Sequence, residues 1–424
     1  MAGGRNRRDP AGDGAIAADL GEIFRDQAGR LVAGLTRRLG DFDLAEESVQ
    51  EAVIEAMQHW QRDGVPERPD AWLATVARRK ALDRIRRDVR YREKLELIEA
   101  LPLERDVEPE DRLRLMFVCC HPALSRDVQV ALTLRAVLGL TTAETARALL
   151  SSEDAIAQRI VRAKRKIVDA GIPFRLPDDA QLVERLEHLM AVVYLLFNEG
   201  YLTTGGPEPV RRDLAEDAEW LAALLTRLLP TQPEPLGLLA LIRLHLARAA
   251  ARFDAAGEIV LFEDQDRSLW DRQAIVAAIR VLERAAAFKQ PGAYQVQAAI
   301  AALYVEAPTW ADTDWLQALA LYDLLVRLDP SPVAKLNRAI ALERVAGAAA
   351  ALDAVDDLRA SLDSYHLFHA ARGRLLEQLN REKEAASEYQ TALSRTSNPA
   401  ERALLGRRLA QLQHRRAGAT HRRP

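Results

Sequence analysis

Apolar residues recur at helical spacing along almost the whole chain. Between residues 153 and 167 they form one stripe, which comprises Ile156, Ile160, Ala163 and Ile167. Thr141 with Glu144, and Ser151 with Asp154, match the capping-box pattern, so each pair predicts the start of a helix. Two short helices joined by a tight turn are therefore expected here. Because β-branched runs are few and Gly and Pro fall between periodic segments, the expected fold class is all-α.

The first block of the chain shows the same periodicity in three successive series. The first series comprises Leu20, Ile23, Phe24, Leu31, Leu35 and Leu39. The second comprises Val49, Val53, Ile54, Met57 and Trp60. A loop with two prolines over residues 61–70 precedes the third, which comprises Trp72, Leu73, Val76, Leu82 and Ile85. Three helices are expected, and the third carries a dense arginine face.

The remaining boundaries follow from composition and from an internal repeat. Alanines 318, 351 and 385 recur at a spacing near 34 residues, which is typical of tetratricopeptide (TPR) helices that stack into a curved binding surface. We expect a disordered N-terminus (1–15), a helical domain (16–94), an acidic linker (95–112) and a helix-turn-helix domain (113–172). These are followed by a helical extension (173–290), TPR-like repeats (291–414) and a disordered basic tail (415–424).

Charge is segregated along the chain, although the net charge is only −3. Nine basic and three acidic residues lie between Arg78 and Lys94, and five basic residues without an acid lie between Arg159 and Lys166. An acidic block with seven acids and one arginine, from Glu96 to Asp111, separates them. Basic blocks of this kind favour two DNA-facing surfaces, because phosphate neutralisation drives affinity. Solvated helix faces are the alternative for either block taken alone.

The second helix of the 138–167 pair is the strongest candidate for DNA reading. Beside its apolar stripe, the other faces carry Gln158, Arg159, Arg162, Lys164, Arg165 and Lys166. A helix-turn-helix places such a helix in the major groove. Side chains that reach base edges specify sequence, whereas those that reach phosphates fix the register.

Other polar clusters point to structure rather than chemistry. Cys119 and Cys120 are adjacent, so we expect buried thiols in a reducing compartment, and with His121 they converge poorly on one metal ion. Carboxylates at positions 263, 264 and 266 suit Mg²⁺ or Ca²⁺, but Arg267 and Arg272 favour an ion-pair network. No metal, cofactor, signal peptide or membrane span is expected.

Three motifs in order resemble those of bacterial extracytoplasmic-function (ECF) sigma factors. Residues 43–60 (DLAEESVQEAVIEAMQHW) resemble their region 2.1–2.2, and residues 72–87 (WLATVARRKALDRIRR) resemble region 2.3–2.4. The stretch 138–167 is similar to region 4.2. Residues 194–206, 262–272 and 312–316 resemble the subgroup that carries a long C-terminal TPR-like extension.

The resemblance implies partners and site residues. Glu47, Gln50 and Glu51 would contact the β′ clamp helices of core RNA polymerase, and region 4 would meet the β flap. The implied −10 DNA contacts are Trp72, Arg78, Arg79, Arg84, Arg86 and Arg87. The implied −35 contacts are Gln158, Arg159, Arg162, Arg165 and Lys166, with the first two on base edges. The acidic linker would thread the polymerase channel that nascent RNA uses.

Three of these assignments have structural alternatives. Trp72 could serve only the core, Arg159 could hold a phosphate, and the acidic face that includes Glu47 could serve solubility. Many family members carry asparagine where this chain has Arg79, so −10 sequence preferences do not transfer.

The implied function is promoter-specific transcription initiation with −10 melting, in the cytoplasm and on the nucleoid when polymerase is bound. No covalent chemistry is implied. The C-terminal region would regulate this step through a protein or ligand, in place of a separate anti-sigma factor. The rivals are a DNA-binding regulator with a TPR sensor, and a TPR scaffold with an enzymatic middle domain around Asn198 and Glu263.

Overall fold

The computed structural model describes residues 27–87, 109–149, 151–202 and 210–420. The expected disordered N-terminus, the start of the first helix and most of the acidic linker lie outside these residues. In the part described, the regular elements are helices, and one isolated antiparallel bridge joins Phe253 and Ile259. The expected all-α fold class is confirmed. The chain divides into two compact units, residues 1–193 and 194–424.

The first unit contains seven helices in its described part and the first fifteen of the 23 residues of an eighth. Their ranges are 27–39 (α1), Phe42–Asp63 (α2), Pro69–Arg87 (α3), Pro109–Cys119 (α4), Arg126–Leu132 (α5), Thr142–Ala148 (α6), Glu153–Asp169 (α7) and Asp179–Tyr201 (α8). A π-helical turn, Thr133–Val137, continues α5. The helices α6 and α7 form the predicted pair.

Local signals set the ends of these helices. Asp41 caps α2, since its side chain accepts a hydrogen bond from the Leu44 amide at 3.0 Å. Thr141 and Glu144 form the predicted capping box at the start of α6. The second predicted cap is wrong by one residue: Ser152, not Ser151, begins α7 and accepts from the Ala155 amide.

Helix α8 extends the first unit beyond residue 172, where the sequence predicted a boundary. Leu186 and Leu189 are buried, and Arg185 Nη2 donates to the Phe117 carbonyl of α4 at 2.7 Å. Arg126 Nη1 donates to the His188 carbonyl at 3.2 Å. The unit consequently ends at Val193. At the other predicted border, α4 begins at Pro109, inside the stretch expected as linker.

The second unit is a succession of helices that continues to the end of the described chain. Their ranges are Arg212–Leu228 (α9), Pro233–Leu246 (α10), Arg272–Ala286 (α11), Ala293–Glu306 (α12), Trp315–Leu328 (α13), Pro332–Asp356 (α14), Arg359–Leu362 (α15), His366–Gln378 (α16), Glu382–Arg395 (α17) and Pro399–Thr420 (α18). Gly347, with φ of 84°, kinks α14. Helix α18 continues into residues 415–420, where the sequence predicted a disordered tail.

The positions that define the 34-residue period lie in the core of this unit. Ala318, Ala351 and Ala385 have no exposed surface. Gly373 on α16 meets the Tyr389 ring of α17, and a Cβ at Gly373 would lie 2.9 Å from that ring. Small residues at these positions therefore let neighbouring helices approach closely.

The polar clusters outside the helix-turn-helix domain have surroundings that indicate structural roles. Cys119 and Cys120 are buried free thiols, as expected, and burial raises the pKa of Cys120 to about 11. Glu263 does form an ion pair, but its partner is Arg344, at 2.8 Å, and not one of the predicted arginines. Arg267 and Arg272 donate instead to backbone carbonyls that include Tyr304. No described helix has the length and apolar character that a bilayer span requires.

Candidate nucleic-acid interface

Helix α7 buries its apolar stripe and presents polar side chains on the other side. Ile156 has no exposed surface, and Ile160, Ala163 and Ile167 are also buried. Four of the predicted DNA contacts are exposed: Gln158, Arg162, Arg165 and Lys166. Arg159 is half-buried. The helix therefore offers a solvent-facing surface with three cations, which suits contact with phosphates and base edges.

Lys164 departs from the predicted exposed face of α7. It lies four residues after Ile160 and three before Ile167, so the helical period turns it toward the buried side. Its side chain is only 8% exposed. Lys164 Nζ lies 2.5 Å from an Asp43 carboxylate oxygen and 2.7 Å from one of Glu46. A cation buried this deeply needs such partners, because desolvation disfavours an unpaired charge.

The arginine face of α3 is partly neutralised by α2. Arg79 pairs with Glu55 at 2.5 Å, and Arg84 pairs with Glu51 at 2.9 Å and with Glu47. Lys80 also bonds Glu55 and, as the largest cause, lowers the pKa of that carboxyl. The glutamates lie at intervals of four residues on one face of α2, which explains the ladder.

The other predicted −10 contacts lie along the same helix. Arg86 and Arg87 are exposed in its last turn, and Arg78 is half-buried. Trp72 is half-buried near its start, and its ring meets the buried Trp60 edge-on with centroids 5.4 Å apart. Trp72 thus contributes to packing while part of its ring stays accessible.

The three predicted polymerase contacts have unequal surroundings. Glu47 and Glu51 are partly exposed, with 34% and 39% of their side chains accessible. Gln50 is buried, and its Nε2 donates to the Arg135 carbonyl at 3.0 Å. Two of the three side chains therefore reach solvent in this conformation, while the third holds α2 to the π-helical turn.

Asp43, Glu46 and Arg135 were not singled out by the sequence, yet they connect the two predicted DNA-binding blocks. Glu46 has no exposed surface and receives Arg135 Nε at 2.5 Å in addition to Lys164. The burial of Glu46 could have been predicted from its position, because residue 46 precedes Val49 by three and so shares the apolar face of α2. No comparable signal marks Arg135.

Comparison with protein families matches this organisation. Residues 23–91 match the model of sigma-70 region 2, and residues 114–167 match that of sigma-70 region 4. Residues 185–286 match a family of unknown function, DUF6596. The matched ranges contain the α2–α3 pair, the α6–α7 pair and the start of the second unit. The fold and the candidate site therefore place this protein in the class of sigma factors.

One relative matches almost the whole chain in sequence. An uncharacterized protein of Rhizobium meliloti (strain 1021) is 44% identical over 399 residues, which cover 90% of this chain and 93% of that protein. The chain belongs to the ECF-like sigma factors that carry a C-terminal extension. Its sigma domains imply binding to core RNA polymerase and a role in promoter recognition. Sigma factor families are not enzymes.

Proposed function

We propose that this protein directs promoter-specific initiation by reading the −35 element with α7 and the −10 element with α3. The observation that carries the proposal is the surface of α7, where the apolar stripe is buried and four of the five predicted DNA contacts are exposed. Gln158 and Arg159 contact base edges, since a bidentate arginine–guanine pair discriminates by about 1–3 kcal/mol. Arg162, Arg165 and Lys166 hold phosphates and set the register.

At the −10 element, α3 and the loop before it capture bases after the strands separate. The accessible part of Trp72 offers a stacking surface, and each stacked base contributes about 1–3 kcal/mol in single-strand binders. Arg86 and Arg87 are exposed in the last turn of α3, where they contact phosphates. Arg79 and Arg84 are paired with glutamates, so they reach DNA only when those pairs exchange.

The partly exposed Glu47 and Glu51 are the contacts to the β′ clamp helices. Both carboxylates pair with Arg84, so they meet a basic partner surface when those pairs exchange, and their negative charge steers association. Region 4 contacts the β flap. The protein acts in the cytoplasm, associated with the nucleoid when it is bound to polymerase.

The second unit regulates initiation by packing on the sigma domains or by binding a regulatory protein or ligand. A groove of about 530 Å³ between helices of this unit supports the second route. Its apolar lining includes Ile279, Leu282, Val296, Leu303 and Leu321. Concave apolar sites of this size are typical of ligand pockets.

Reconstitution with core RNA polymerase tests the initiation function directly. Purified full-length protein should confer transcripts with defined start sites on promoter templates. The double variant Arg162→Ala with Arg165→Ala should lose this activity, because two phosphate contacts disappear. The matched control is Arg280→Ala with Arg284→Ala on α11, which removes the same charge from exposed positions elsewhere. Absence of specific initiation by the wild-type protein would overturn the proposal.

A truncation tests the regulatory role of the second unit. The chain should be cut after Leu202 rather than after Gly171, because α8 packs on α4 through Arg185 and would otherwise be removed. Transcription by this variant should differ from that of the full chain in level or in its response to conditions. Equal levels and equal responses would contradict regulation by the second unit.

A further inference from the structure

The segment that joins α10 to α11 in the second unit holds two arginines against aromatic rings. The guanidinium of Arg248 lies over the Phe262 ring, with its carbon 4.1 Å from the ring centroid. That of Arg252 lies over the ring of Tyr201, at the end of α8, at 3.4 Å. Such contacts attract a cation through the ring quadrupole, but they leave its charge uncompensated.

Arg248 is deeply buried, and the partners of its guanidinium are all uncharged. The residue is only 6% exposed. Its Nη1 donates to Gln265 Oε1 and its Nη2 donates to the Tyr201 hydroxyl, both at 3.1 Å. Its Nη2 also lies 3.1 Å from Nδ1 of His245, whose pKa is held well below its ordinary value by desolvation and by the two arginines. A guanidinium does not lose its proton in a protein, so a full positive charge remains here.

Two further arginines add positive charge around Arg248. Arg252 donates through Nη1 to the Tyr201 carbonyl at 2.5 Å, so both Arg248 and Arg252 converge on one tyrosine. Arg267 donates through Nη1 to two backbone carbonyls, at 3.0 and 2.8 Å. Its Nη2 is buried and has no hydrogen-bond partner in the described part of the chain. Desolvation lowers the pKa of Arg252 and of Arg267, and the charge of Arg248 lowers both further.

The carboxylates of the same segment are used elsewhere. None of them is among the groups that shift the pKa of Arg248 or Arg252. Glu263 pairs with Arg344, Glu258 pairs with Arg407, and Asp266 accepts from the Ser268 amide. Other half-buried arginines of the second unit do pair with carboxylates, as Arg243 and Arg372 do. Because an uncompensated buried charge is costly, the cluster favours an anion from outside the chain.

We propose that Arg248 and Arg252 form a binding site for a small-molecule phosphate, either inorganic phosphate or a phosphate monoester. Guanidinium forks bind phosphate oxygens through parallel hydrogen bonds. A phosphate monoester carries a charge of about −1.5 to −2 at neutral pH, which balances two arginines, whereas a single carboxylate balances one. Arg252 and Tyr201 are half-buried, so the ligand approaches from their side, with Arg248 behind them.

Tyr201 and Arg267 complete the site. The Tyr201 hydroxyl oxygen accepts from Arg248, which leaves the hydroxyl proton to donate to a phosphate oxygen. Arg267 strengthens the positive potential beside Arg248 without contributing an ion pair of its own. The site is separate from the apolar groove between helices of this unit, and it goes beyond the proposed role in initiation.

Titration of phosphate into the full-length protein tests the site. The probes are inorganic phosphate and glycerol 3-phosphate, followed by isothermal titration calorimetry at an ionic strength held constant with sodium chloride. The wild-type protein should show saturable binding of one probe molecule per chain, and the probe that binds more tightly identifies the source of the phosphate. Sodium acetate serves as the monoanionic comparison and should bind at least about tenfold more weakly.

Three variants and one matched control assign the binding to this cluster. Arg248→Gln and Arg252→Gln should each weaken binding by about tenfold or more, because each removes a charge-assisted contact. Tyr201→Phe removes only a hydroxyl and should weaken binding severalfold. Arg284→Gln is the control, since it makes the same substitution at an exposed position of α11 and should bind as the wild type does.

Thermal unfolding provides a second measurement on the same proteins. Phosphate should raise the unfolding midpoint of the wild type and of Arg284→Gln more than that of Arg252→Gln, because a ligand stabilises the state that binds it. General stabilisation by phosphate as a salt is common to all the variants and cancels in this comparison. Circular dichroism checks folding. If Arg248→Gln does not fold, the half-buried Arg252 decides through Arg252→Gln.

Three results would each overturn the site. They are the absence of saturable binding of both probes by the wild type, unchanged binding by folded Arg252→Gln, and acetate binding as tight as that of phosphate. The first two would leave the arginines with a packing role on the aromatic rings. Since these measurements use neither polymerase nor DNA, their failure is distinguishable from a failure of the proposed function.

Discussion

Gly29 of α1 lies against the backbone of Val137 so closely that a Cβ at residue 29 would be 2.4 Å from the Val137 carbonyl oxygen. The neighbour is backbone, which cannot swing aside as a long side chain does. This contact brings the first helix of region 2 onto the turn that precedes the helix-turn-helix. Only glycine permits this approach without a shift of the two elements.

Gly29→Ala should therefore destabilise the first unit or force its two regions apart. Overpacking costs typically about 1–3 kcal/mol, which exceeds the gain of about 0.5–1 kcal/mol that alanine brings to a helix. Chemical denaturation of the full chain measures the loss. Gly406→Ala is the control, since nothing lies within 4 Å of a Cβ there and alanine should be neutral or stabilising. A Gly29→Ala variant as stable as the wild type would contradict the close packing.

Experiments can distinguish two roles of Trp72, which are packing within region 2 and stacking on a −10 base. Its edge-on contact with Trp60 stabilises region 2, so Trp72→Ala should lower the free energy of unfolding by about 2–3 kcal/mol. Trp72→Phe keeps a ring at the contact and should lose less than half of that stability. If the residue also stacks on a −10 base, the phenylalanine variant should retain opening of promoter DNA, measured by permanganate reactivity.

Two other outcomes would each assign Trp72 a single role. Wild-type opening by a folded Trp72→Ala variant would leave the residue with a core role alone. Loss of opening by both variants at unchanged stability would assign the indole itself to DNA. Temperature is set well below the unfolding midpoint of each variant in these assays.

The helix-turn-helix was predictable because each of its determinants is local. The Thr141 capping box and the stripe from Ile156 to Ile167 lie within a few turns of each other, and the structure has both. The burial of Lys164 was not predictable, because its partners Asp43 and Glu46 lie more than a hundred residues earlier in the chain. Periodicity gives the direction of a side chain but not the element that it meets.

The same distinction applies to the boundary predicted after residue 172, which lies within the first compact unit. The break over residues 171–177, with its glycine and prolines, does separate α7 from α8. However, Arg185 returns to a carbonyl of α4 that lies 68 residues away, so the compact unit continues through the break. A turn signal marks the end of a helix and does not by itself mark the end of a domain.

Two arginines of α7 should have different effects on DNA binding. Arg159→Ala should cost about 1–3 kcal/mol on the correct −35 sequence and reduce discrimination against altered bases, if Arg159 reads a base edge. Arg165→Ala should weaken binding to all sequences alike and reduce the dependence of log affinity on log salt by about one. Fluorescence anisotropy of the polymerase complex on fork-junction DNA, over a range of salt, measures both quantities. A uniform loss for Arg159→Ala, with the salt slope reduced, would instead make that residue a phosphate clamp.

His245 should make the second unit sensitive to acid. The residue is half-buried beside Phe197, Tyr201 and two arginines, and desolvation together with the positive charges of Arg248 and Arg252 holds its pKa well below the ordinary value of 6.5. Its Nδ1 lies 3.1 Å from Arg248 Nη2, which can only donate, so the histidine accepts at Nδ1 and carries its proton on Nε2. The folded protein thus holds the imidazole neutral.

The sign of the pH effect follows from that depressed pKa. Below about pH 6.5 the unfolded chain binds a proton at His245 that the folded chain does not, so stability is full above this pH and falls as the pH decreases. The slope should approach about 1.4 kcal/mol per pH unit until the folded pKa is reached. Thermal or urea unfolding between pH 5 and pH 8 measures it. His245→Phe should be less stable at neutral pH, because Arg248 loses an acceptor, but its loss of stability on acidification should be smaller. A stability difference between the two proteins that stays constant over this range would show that His245 is not the group that titrates.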